Sequence, residues 1–350
     1  MMAGKYGFGI IGTGAIAKVH AAAVKSLENA ELVACYDLNG ERSDAFAAQH
    51  GIKSYHEIEA FLKDTDVDIV TITTPSGAHL EPALAAIKAK KKAVIIEKPI
   101  EITTERCDEL IKAADENGVM LSGVFQSRFH DAPRLIKEAI EEGRFGKITL
   151  IDAQIKWYRT QEYYDNISWH GTWKMDGGGA LMNQGIHAID LLRWFGGDVK
   201  DVSSRTATLA HERIEVEDTA GAVLSFKNGA IGIIEGSTAA YPGFLKRIEI
   251  CGSDGSAILE EESLKFWQFR EERPEDKEIR EKYADYTATG GGAADPNAIG
   301  FHGHARVFED VMEALDTGRT PSITGREARK SVELIQAVYR SAREGRTVEL

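Results

Sequence analysis

Phe8-Gly9-Ile10-Ile11-Gly12-Thr13-Gly14-Ala15-Ile16-Ala17 is a short apolar run that ends in glycines and continues as a helical pattern. A strand followed by such a turn and a helix presents backbone N–H groups and a helix N-terminus to a pyrophosphate. Gly12 permits the tight turn, Gly14 lets the ligand approach the backbone, and Ala17 allows close helix–strand packing. The sequence therefore predicts a dinucleotide-binding turn made by Gly12, Thr13, Gly14, Ala15 and Ile16.

An acidic residue at the end of the next predicted strand, 31–36, supports this interpretation. Asp37 follows Gly12 at a spacing close to the roughly 20 residues typical of the fingerprint. A carboxylate there accepts both ribose hydroxyls and repels a 2′-phosphate, so we expect NAD, with NADP the less favoured cofactor. Two alternatives stay open: Asp37 as a turn or cap residue, and Arg42 as a ligand of a 2′-phosphate instead of a residue on a solvated helix face.

The composition describes an acidic protein large enough for two domains. The chain has 350 residues and a net charge of −13, which argues against nucleic acid or an anionic membrane as partner. Its three cysteines (Cys35, Cys107, Cys251) lack metal-type spacing and are predicted to be reduced thiols. With no basic-then-apolar leader and no apolar stretch of about 18 residues, we expect a cytoplasmic protein without membrane contact.

The order of predicted elements divides the chain near residue 125. Up to that point strands alternate with helices, which is typical of a doubly wound parallel sheet. We therefore predict a Rossmann domain at 1–125 and, at 126–350, an α+β domain with a large, mainly antiparallel open sheet. The closing helices, near 305–315 and 325–342, are expected to pack back on the first domain. Residues 271–300 are predicted to be a long surface loop.

Strands of the second half carry apolar residues on both faces, for example in Val223-Leu224-Ser225-Phe226 and Ile231-Gly232-Ile233-Ile234. One face is covered by the helices of the same domain. A second copy of the sheet is the simplest cover for the other face. The sequence thus predicts a homodimer or homotetramer assembled through the second-half sheet.

The sequence Glu97-Lys98-Pro99 follows the predicted strand 93–96. Ligands of doubly wound sheets bind outside the carboxyl ends of the strands, so Glu97 and Lys98 are predicted to border the cofactor. The proline restricts the lysine backbone to extended geometry and permits a cis bond. An ammonium at this place stabilises the alkoxide that develops during hydride loss. The alternative is an exposed lysine like Lys90, Lys91 and Lys92.

A glycine run, Gly177–Gly179, leads into a predicted helix over 181–195 that carries Asn183, His187 and Asp190 on one face. Histidine is the natural proton acceptor from an alcohol at neutral pH, so His187 is the predicted base. Asn183, one turn earlier, is predicted to orient its ring. A structural His187 is the alternative. Because a third ligand for a metal at His187 and Asp190 is not apparent, no metal site is predicted. His302 and His304 are interpreted as capping or packing residues.

These motifs together resemble the Gfo/Idh/MocA oxidoreductase family, and the likeness runs nearly from end to end. It rests on residues 12–17, Asp37, Thr74-Pro75 with His79, Glu97-Lys98-Pro99 and the helix of His187. The resemblance implies an NAD(P)-dependent dehydrogenase of sugars, cyclitols or nucleotide sugars. It also implies that Lys98 and His187 are catalytic, and that Thr74, Pro75 and His79 line the nicotinamide side of the cofactor.

One position departs from the pattern of the family's inositol dehydrogenases, which have aspartate four residues before the histidine, where this chain has Asn183. An amide orients the ring but adds no charge to it. Trp169-His170-Gly171-Thr172-Trp173, with the glycine run and helix after it, also resembles the family's nucleotide-sugar 3-dehydrogenase branch.

Aromatic and basic residues near the predicted helix suggest a sugar site. Trp157 and Trp173 are predicted to pack on the apolar face of a pyranose, with burial in the core as the equal alternative. Arg128 and Arg159 are predicted to bind hydroxyls, a carboxylate or a phosphate. Lys98, Asn183 and His187 complete the predicted substrate residues.

The leading hypothesis is reversible oxidation of a ring hydroxyl of a carbohydrate, cyclitol or nucleotide sugar, with hydride transferred to NAD. In this hypothesis His187 accepts the hydroxyl proton and Lys98 stabilises the alkoxide. The alternatives are an NAD-dependent glycoside hydrolase that oxidises its sugar transiently, and a non-catalytic NAD-binding regulator.

Overall fold

The computed structural model describes residues 5–285 and 300–350, which divide into two compact units. Unit 1 contains Met1–Gln126 and Phe301–Val332, and unit 2 contains Ser127–Gly300 and Glu333–Leu350. The segment Phe301–Val332 thus belongs with the first unit, although it follows unit 2 in the chain. The predicted division into domains at 1–125 and 126–350 stays a prediction.

Unit 1 is built on a six-stranded parallel sheet. Its strands are β1 (Tyr6–Ile11), β2 (Ala30–Tyr36), β3 (Lys53–Tyr55), β4 (Ile69–Ile72), β5 (Ala93–Ile96) and β6 (Met120–Gly123). The order β3-β2-β1-β4-β5-β6 places the switch in winding direction between β1 and β4. Every residue of β4 and β5 is buried, as expected for parallel strands covered on both faces. The predicted doubly wound sheet is confirmed.

Helices connect the strands and cover the sheets. The α-helices are α1 (Ala15–Lys25), α2 (Gly40–His50), α3 (Ile58–Lys63), α4 (Leu80–Lys88), α5 (Thr104–Asn117), α6 (Asp131–Glu141), α7 (Gln161–Asp165), α8 (Ile186–Gly196), α9 (Pro274–Tyr283), α10 (His302–Thr317) and α11 (Gly325–Glu344). Short 3₁₀ turns occupy Ser76–Ala78 and Gln126–Phe129. In the described residues no helix combines the length and apolarity required to cross a membrane.

Unit 2 contains an eight-stranded sheet in the order β13-β12-β11-β7-β10-β9-β8-β14. Its strands are β7 (Ile148–Lys156), β8 (Val199–Ala207), β9 (Thr219–Phe226), β10 (Ile231–Ser237), β11 (Arg247–Gly252), β12 (Gly255–Glu260), β13 (Ser263–Phe269) and β14 (Val348–Glu349). All neighbouring pairs are antiparallel except β7 with β10, which is parallel. The mainly antiparallel sheet is confirmed.

Two predicted elements differ from the structure. The loop predicted at 271–300 contains α9, a helix too polar to show an apolar face, and residues 286–299 lie outside the described residues. The helix predicted over 181–195 consists of a π-helical segment, Ala180–Gly185, followed by α8. Gly185 permits the wider turn, because a Cβ there would lie 2.9 Å from the carbonyl oxygen of Ala180.

Candidate functional site

The glycine turn after β1 leaves the amino end of α1 open. Gly12 has a φ of +93°, and a Cβ there would lie 2.9 Å from the backbone of Thr73 and Thr74. Gly14 is the N-cap residue of α1 and supplies no side-chain cap, while a Cβ on it would meet no atom within 4 Å. Open space in front of a helix N-terminus fits a pyrophosphate.

Asp37, at the end of β2, is a buried carboxylate with four hydrogen-bond donors. Its Oδ2 accepts from the backbone N (2.8 Å) and Oγ1 (3.0 Å) of Thr13, and its Oδ1 accepts from Asn39 N (2.8 Å) and Arg42 Nη2 (3.0 Å). Burial acts to raise the pKa of Asp37, but these hydrogen bonds outweigh it and the pKa is lowered. Arg42 is 63% exposed, as predicted for a solvated face, and it is also ion-paired with Asp37.

His79 joins the loops that follow β4 and β5. Its Nε2 lies 2.9 Å from the carbonyl oxygen of Thr74, and its Nδ1 lies 2.9 Å from that of Pro99. The ring is buried, and this burial lowers the pKa of His79. Pro75 precedes the 3₁₀ turn that leads to His79. Thr74, Pro75 and His79 therefore form one connected corner at the carboxyl end of the sheet.

Lys98 follows β5 and is joined to Pro99 by a cis peptide bond. The carboxylate of Glu97 fixes its backbone, since Oε2 accepts from Lys98 N at 3.0 Å. Oε1 of the same carboxylate lies 2.7 Å from His20 Nε2 and 3.3 Å from His304 Nε2. Burial acts to raise the pKa of Glu97, but the hydrogen bonds from the two histidines hold it well below its usual range. The position of Lys98 is thus fixed by an ionised buried glutamate.

The sequence analysis missed His20 and assigned His304 only a capping or packing part. The three ligand-type atoms of His20, Glu97 and His304 lie within 4.8 Å of one another. Metal-bound histidines almost always donate their second ring nitrogen to a partner, whereas Nδ1 of both histidines has no hydrogen-bond partner here. The 2.7 Å contact is also a hydrogen-bond distance. The geometry therefore favours a hydrogen-bonded cluster over a metal site.

In unit 2, Glu217 fixes the start of the helical segment that carries His187. Its carboxylate accepts from Gly179 N (2.9 Å) and Leu181 N (2.8 Å), and it also accepts from Tyr339 Oη (2.9 Å). A Cβ on Gly179 would lie 1.9 Å from the carbonyl oxygen of Glu217, so the glycine run permits this close approach. His187 follows in the first turn of α8.

Asp190 and Arg128 form a buried bidentate ion pair. Arg128 Nε lies 2.6 Å from Asp190 Oδ2, and Nη2 lies 2.7 Å from Oδ1. Both side chains are at most 5% exposed, and Arg193 adds a longer contact to Asp190 at 3.8 Å. This pairing favours a structural part for Arg128, and its predicted substrate contact stays a prediction. Asp190 is likewise occupied by Arg128, which weakens the idea of a metal held by His187 and Asp190.

A chain of hydrogen bonds connects Arg159 with Asp176. Arg159 Nη2 donates to Gln184 Oε1 (2.8 Å), and Gln184 Nε2 donates to Asn183 Oδ1 (3.0 Å). Asn183 Nδ2 then donates to Asp176 Oδ1. This series of hydrogen bonds includes two predicted site residues, Arg159 and Asn183. Its other two members, Gln184 and Asp176, were missed by the sequence analysis.

The two candidate tryptophans differ in environment. Trp157 is 8% exposed, and the Arg159 guanidinium lies 5.2 Å from the centre of its ring. Trp173 is 41% exposed and makes an edge-to-face contact with Tyr339 at 5.2 Å. Burial thus supports the core alternative for Trp157, whereas Trp173 retains an exposed ring surface.

The predicted site residues therefore fall into two groups, each within one unit. Unit 1 carries the cofactor candidates and Lys98 at the carboxyl ends of β1, β2, β4 and β5. Unit 2 carries His187, Asn183, Arg128, Arg159, Trp157 and Trp173.

Two family models match the chain. Residues 6–125 match an oxidoreductase family described by its NAD-binding Rossmann fold, and residues 137–350 match the C-terminal alpha/beta domain of the same family, Gfo/Idh/MocA.

Solved structures and curated relatives extend this likeness. The WlbA dehydrogenase from Bordetella pertussis, solved with NADH and UDP-GlcNAcA, is 36% identical, with 100% of this chain and 99% of that chain covered and a TM-score of 0.90. Myo-inositol 2-dehydrogenase of Thermotoga maritima is 28% identical over 98% of both chains. The scyllo-inositol 2-dehydrogenase (NADP(+)) IolW of Bacillus subtilis is 28% identical, with 84% of this chain and 82% of IolW covered.

Proposed function

Because the chain belongs to the Gfo/Idh/MocA family of oxidoreductases, we propose that it is an NAD-dependent dehydrogenase that oxidises a ring hydroxyl of a nucleotide sugar. The substrate class is a uridine diphosphate sugar that carries a carboxylate, of the UDP-GlcNAcA type. The observation that carries this proposal is the 36% identity, over the full chain, to a dehydrogenase solved with NADH and UDP-GlcNAcA. The resemblance of 169–187 to the nucleotide-sugar branch agrees with it.

The residues of unit 1 fit the cofactor half of this function. The open amino end of α1, with Gly12 to Ile16 before and within it, binds the pyrophosphate. Asp37 accepts the adenosine ribose hydroxyls, and the corner of Thr74, Pro75 and His79 borders the nicotinamide. Glu97 acts by fixing the backbone of Lys98. NAD, when bound, supplies the hydride acceptor.

Two side chains act on the reacting hydroxyl. His187 accepts its proton, and the Lys98 ammonium hydrogen-bonds the same oxygen and stabilises the negative charge that develops there. Asn183 orients the imidazole. Trp173 offers its exposed ring to the sugar, and Arg159, whose guanidinium lies 5.2 Å from the centre of the Trp157 ring, binds the carboxylate or a phosphate of the substrate.

The substrate test uses the purified full chain with NAD and UDP-GlcNAcA, and follows NADH absorbance together with product mass. We expect NADH to form in step with a product two hydrogens lighter than the substrate. UDP-GlcNAc, which lacks the carboxylate, is the matched control and is expected to react at least about tenfold more slowly.

Three outcomes contradict the substrate proposal. Faster NADH formation with myo-inositol than with UDP-GlcNAcA assigns the chain to the cyclitol dehydrogenases. Cleavage of a glycosidic bond without net NADH supports the hydrolase alternative. Tight NAD binding without turnover of any of these compounds supports the regulator alternative.

Cofactor choice is tested by replacing Asp37 with serine. Loss of the carboxylate removes the acceptor of the ribose hydroxyls and the charge that repels a 2′-phosphate, while the exposed Arg42 remains beside the site. We expect the Kd for NAD to rise about tenfold and the Kd for NADP to fall about tenfold, as measured by fluorescence titration. Adding Arg42→Ala should abolish the gain for NADP. An unchanged ratio of the two Kd values would argue against Asp37 as the selecting residue.

We propose that a second copy of the chain covers the outer face of the unit 2 sheet, which gives a homodimer or homotetramer. Register places Val223, Ile233, Asp152, Glu249, Ile258 and Phe266 side by side across this face. Val223 and Phe266 are exposed, and Ile231 lies close by with 51% exposure. Sedimentation should give a mass of two or four chains at micromolar concentration, and a mass of one chain would contradict the proposal.

We also propose a cytoplasmic location. Cys35 and Cys107 are buried and Cys251 is partly exposed, and all three are free thiols. Unpaired cysteines are typical of reducing compartments.

A further inference from the structure

Asp176 is a buried carboxylate that the proposed reaction does not use. It precedes the glycine run of unit 2 and is 1% exposed. Its Oδ2 accepts from Gly171 N at 2.9 Å, and its Oδ1 accepts from the side chain of Asn183. A buried carboxylate is costly to keep charged unless its partners compensate. The hydrogen bonds from Gly171 and Asn183 to Asp176 supply such compensation.

One series of hydrogen bonds that ends on Asp176 runs in a single direction. The donors run from the Arg159 guanidinium through the amides of Gln184 and Asn183 to the Asp176 carboxylate. A chain in which every donor points the same way polarises each of its members. It also fixes the amide of Asn183, with its nitrogen toward Asp176 and its oxygen toward Gln184. Asn183 thus lies at the negative end of a polarised chain.

Asn183 lies four residues before His187, in the π-helical segment that continues directly into α8. We infer that Asp176 is a positioning residue, which supplies through Asn183 the negative charge that the imidazole of His187 experiences. The neutral amide at position 183 then does not leave the base without a carboxylate in its surroundings, because Asn183 is itself hydrogen-bonded to Asp176. This inference rests on the proposed function, in which His187 takes the proton.

Three tyrosines lie close enough to Asp176 to interact with its charge. Burial and the charge of Asp176 raise the pKa of Tyr163 to about 12, and those of Tyr164 and Tyr339 are also raised. These phenols therefore remain neutral near pH 7.

Further titratable or charged groups lie in the same part of unit 2. Burial raises the pKa of Glu217, which accepts from Tyr339. His170 stacks on Tyr163, and His211 lies 3.1 Å from Asp218 and packs against Tyr164. Arg159 is the cation at the other end of the series of hydrogen bonds that leads to Asp176. The NMR signal of His187 must accordingly be distinguished from those of His170 and His211.

The experiment measures the pKa of His187 directly, by NMR of the full chain with ¹³C-labelled histidine. The His187 signal is assigned by its loss in His187→Gln. In Asp176→Asn we expect the pKa of His187 to fall by about one pH unit, because the cationic ring loses a nearby negative charge. The acid limb of the pH profile of kcat/KM should move by the same amount.

The decisive comparison is the double variant Asp176→Asn/Asn183→Asp, which exchanges the amide and the carboxylate. It keeps the charge and moves it toward His187, so the pKa should return to the wild-type value or exceed it. This variant also keeps the test available if Asp176→Asn alone does not fold. Glu278→Gln, which removes an exposed carboxylate of α9 in the same unit, is the control and should leave the pKa of His187 unchanged.

An unchanged pKa of His187 in a folded Asp176→Asn variant would overturn the inference, and so would a lowered pKa in the double variant. Failure of the proposed function looks different. It would appear as near-native turnover in His187→Gln, whereas the NMR titration still reports whether the charge of Asp176 reaches His187.

Discussion

Replacing Lys98 by alanine is expected to lower kcat about 10²–10⁴-fold while the Kd for NAD changes less than about threefold. In the proposed mechanism the lysine ammonium acts on the reacting hydroxyl, so its loss is expected to remove stabilisation that exists mainly in the transition state. The backbone of Lys98 is held by Glu97, which is itself fixed by His20 and His304. Alanine at position 98 keeps these contacts, because Glu97 accepts from the backbone nitrogen of residue 98 and none of the three contacts uses the lysine side chain.

The matched control for this variant is Lys88→Ala. Lys88 lies exposed in the last turn of α4, in the same unit. The control should retain the wild-type kcat, and both variants should melt at the same temperature as the wild type. Turnover by Lys98→Ala within about threefold of the wild-type rate would remove Lys98 from the mechanism, provided that the same preparation binds NAD.

Replacing Asp190 by alanine is expected to lower the free energy of unfolding by about 3–5 kcal/mol, as measured by urea denaturation followed by circular dichroism. The reason is the partner left behind, because Arg128 loses the carboxylate that meets it at 2.6 and 2.7 Å. Arg128 is only 5% exposed, so water cannot replace that carboxylate. Most of the expected loss is therefore the cost of a buried cation without its counter-charge.

Two further variants isolate this cost. In Arg128→Met/Asp190→Leu both charges are absent, and most of the lost stability should return. Asp165→Ala removes one partner of an ion pair with Arg213 on the surface of the same unit, where the side chains are 60% and 40% exposed. That change should leave the urea midpoint unchanged, since exposed pairs contribute little. Equal shifts of the urea midpoint in Asp165→Ala and Asp190→Ala would show that burial of the Arg128–Asp190 pair does not determine its contribution to stability.

The parallel sheet of unit 1 could be predicted because most of its strands are short apolar runs and each connection is local. The strand pairing in the sheet of unit 2 was harder to predict from the sequence. Its parallel pair, β7 with β10, joins strands far apart in the chain, and no local pattern specifies that pairing. The helix α9 was predicted as loop because its residues are mostly charged, so its helical character gave no apolar periodicity.

The candidate site residues could likewise be predicted where a local pattern in the sequence pointed to them. Gly12, Asp37 and Lys98 were predicted as site residues because each stands at the end of an apolar strand, and these assignments stay predictions. His20 escaped notice because a single histidine within a helix carries no signal of its own, although its side chain contacts Glu97. Asp176 was not predicted as a site residue, because its bond to Asn183 depends on how the turn before the helix folds. The π-helical turn before His187 was also missed, since sequence periodicity was interpreted with α-helical spacing.

The central claim of the proposed function is that Lys98 and His187 act on one substrate hydroxyl. A crystal structure of the full chain with NAD and UDP-GlcNAcA measures this directly, through the distances from Lys98 Nζ and His187 Nε2 to the sugar oxygens. The account predicts both distances at about 2.6–3.2 Å to the same hydroxyl, on the carbon that faces the nicotinamide. A complex in which only one of the two side chains reaches that hydroxyl would contradict it.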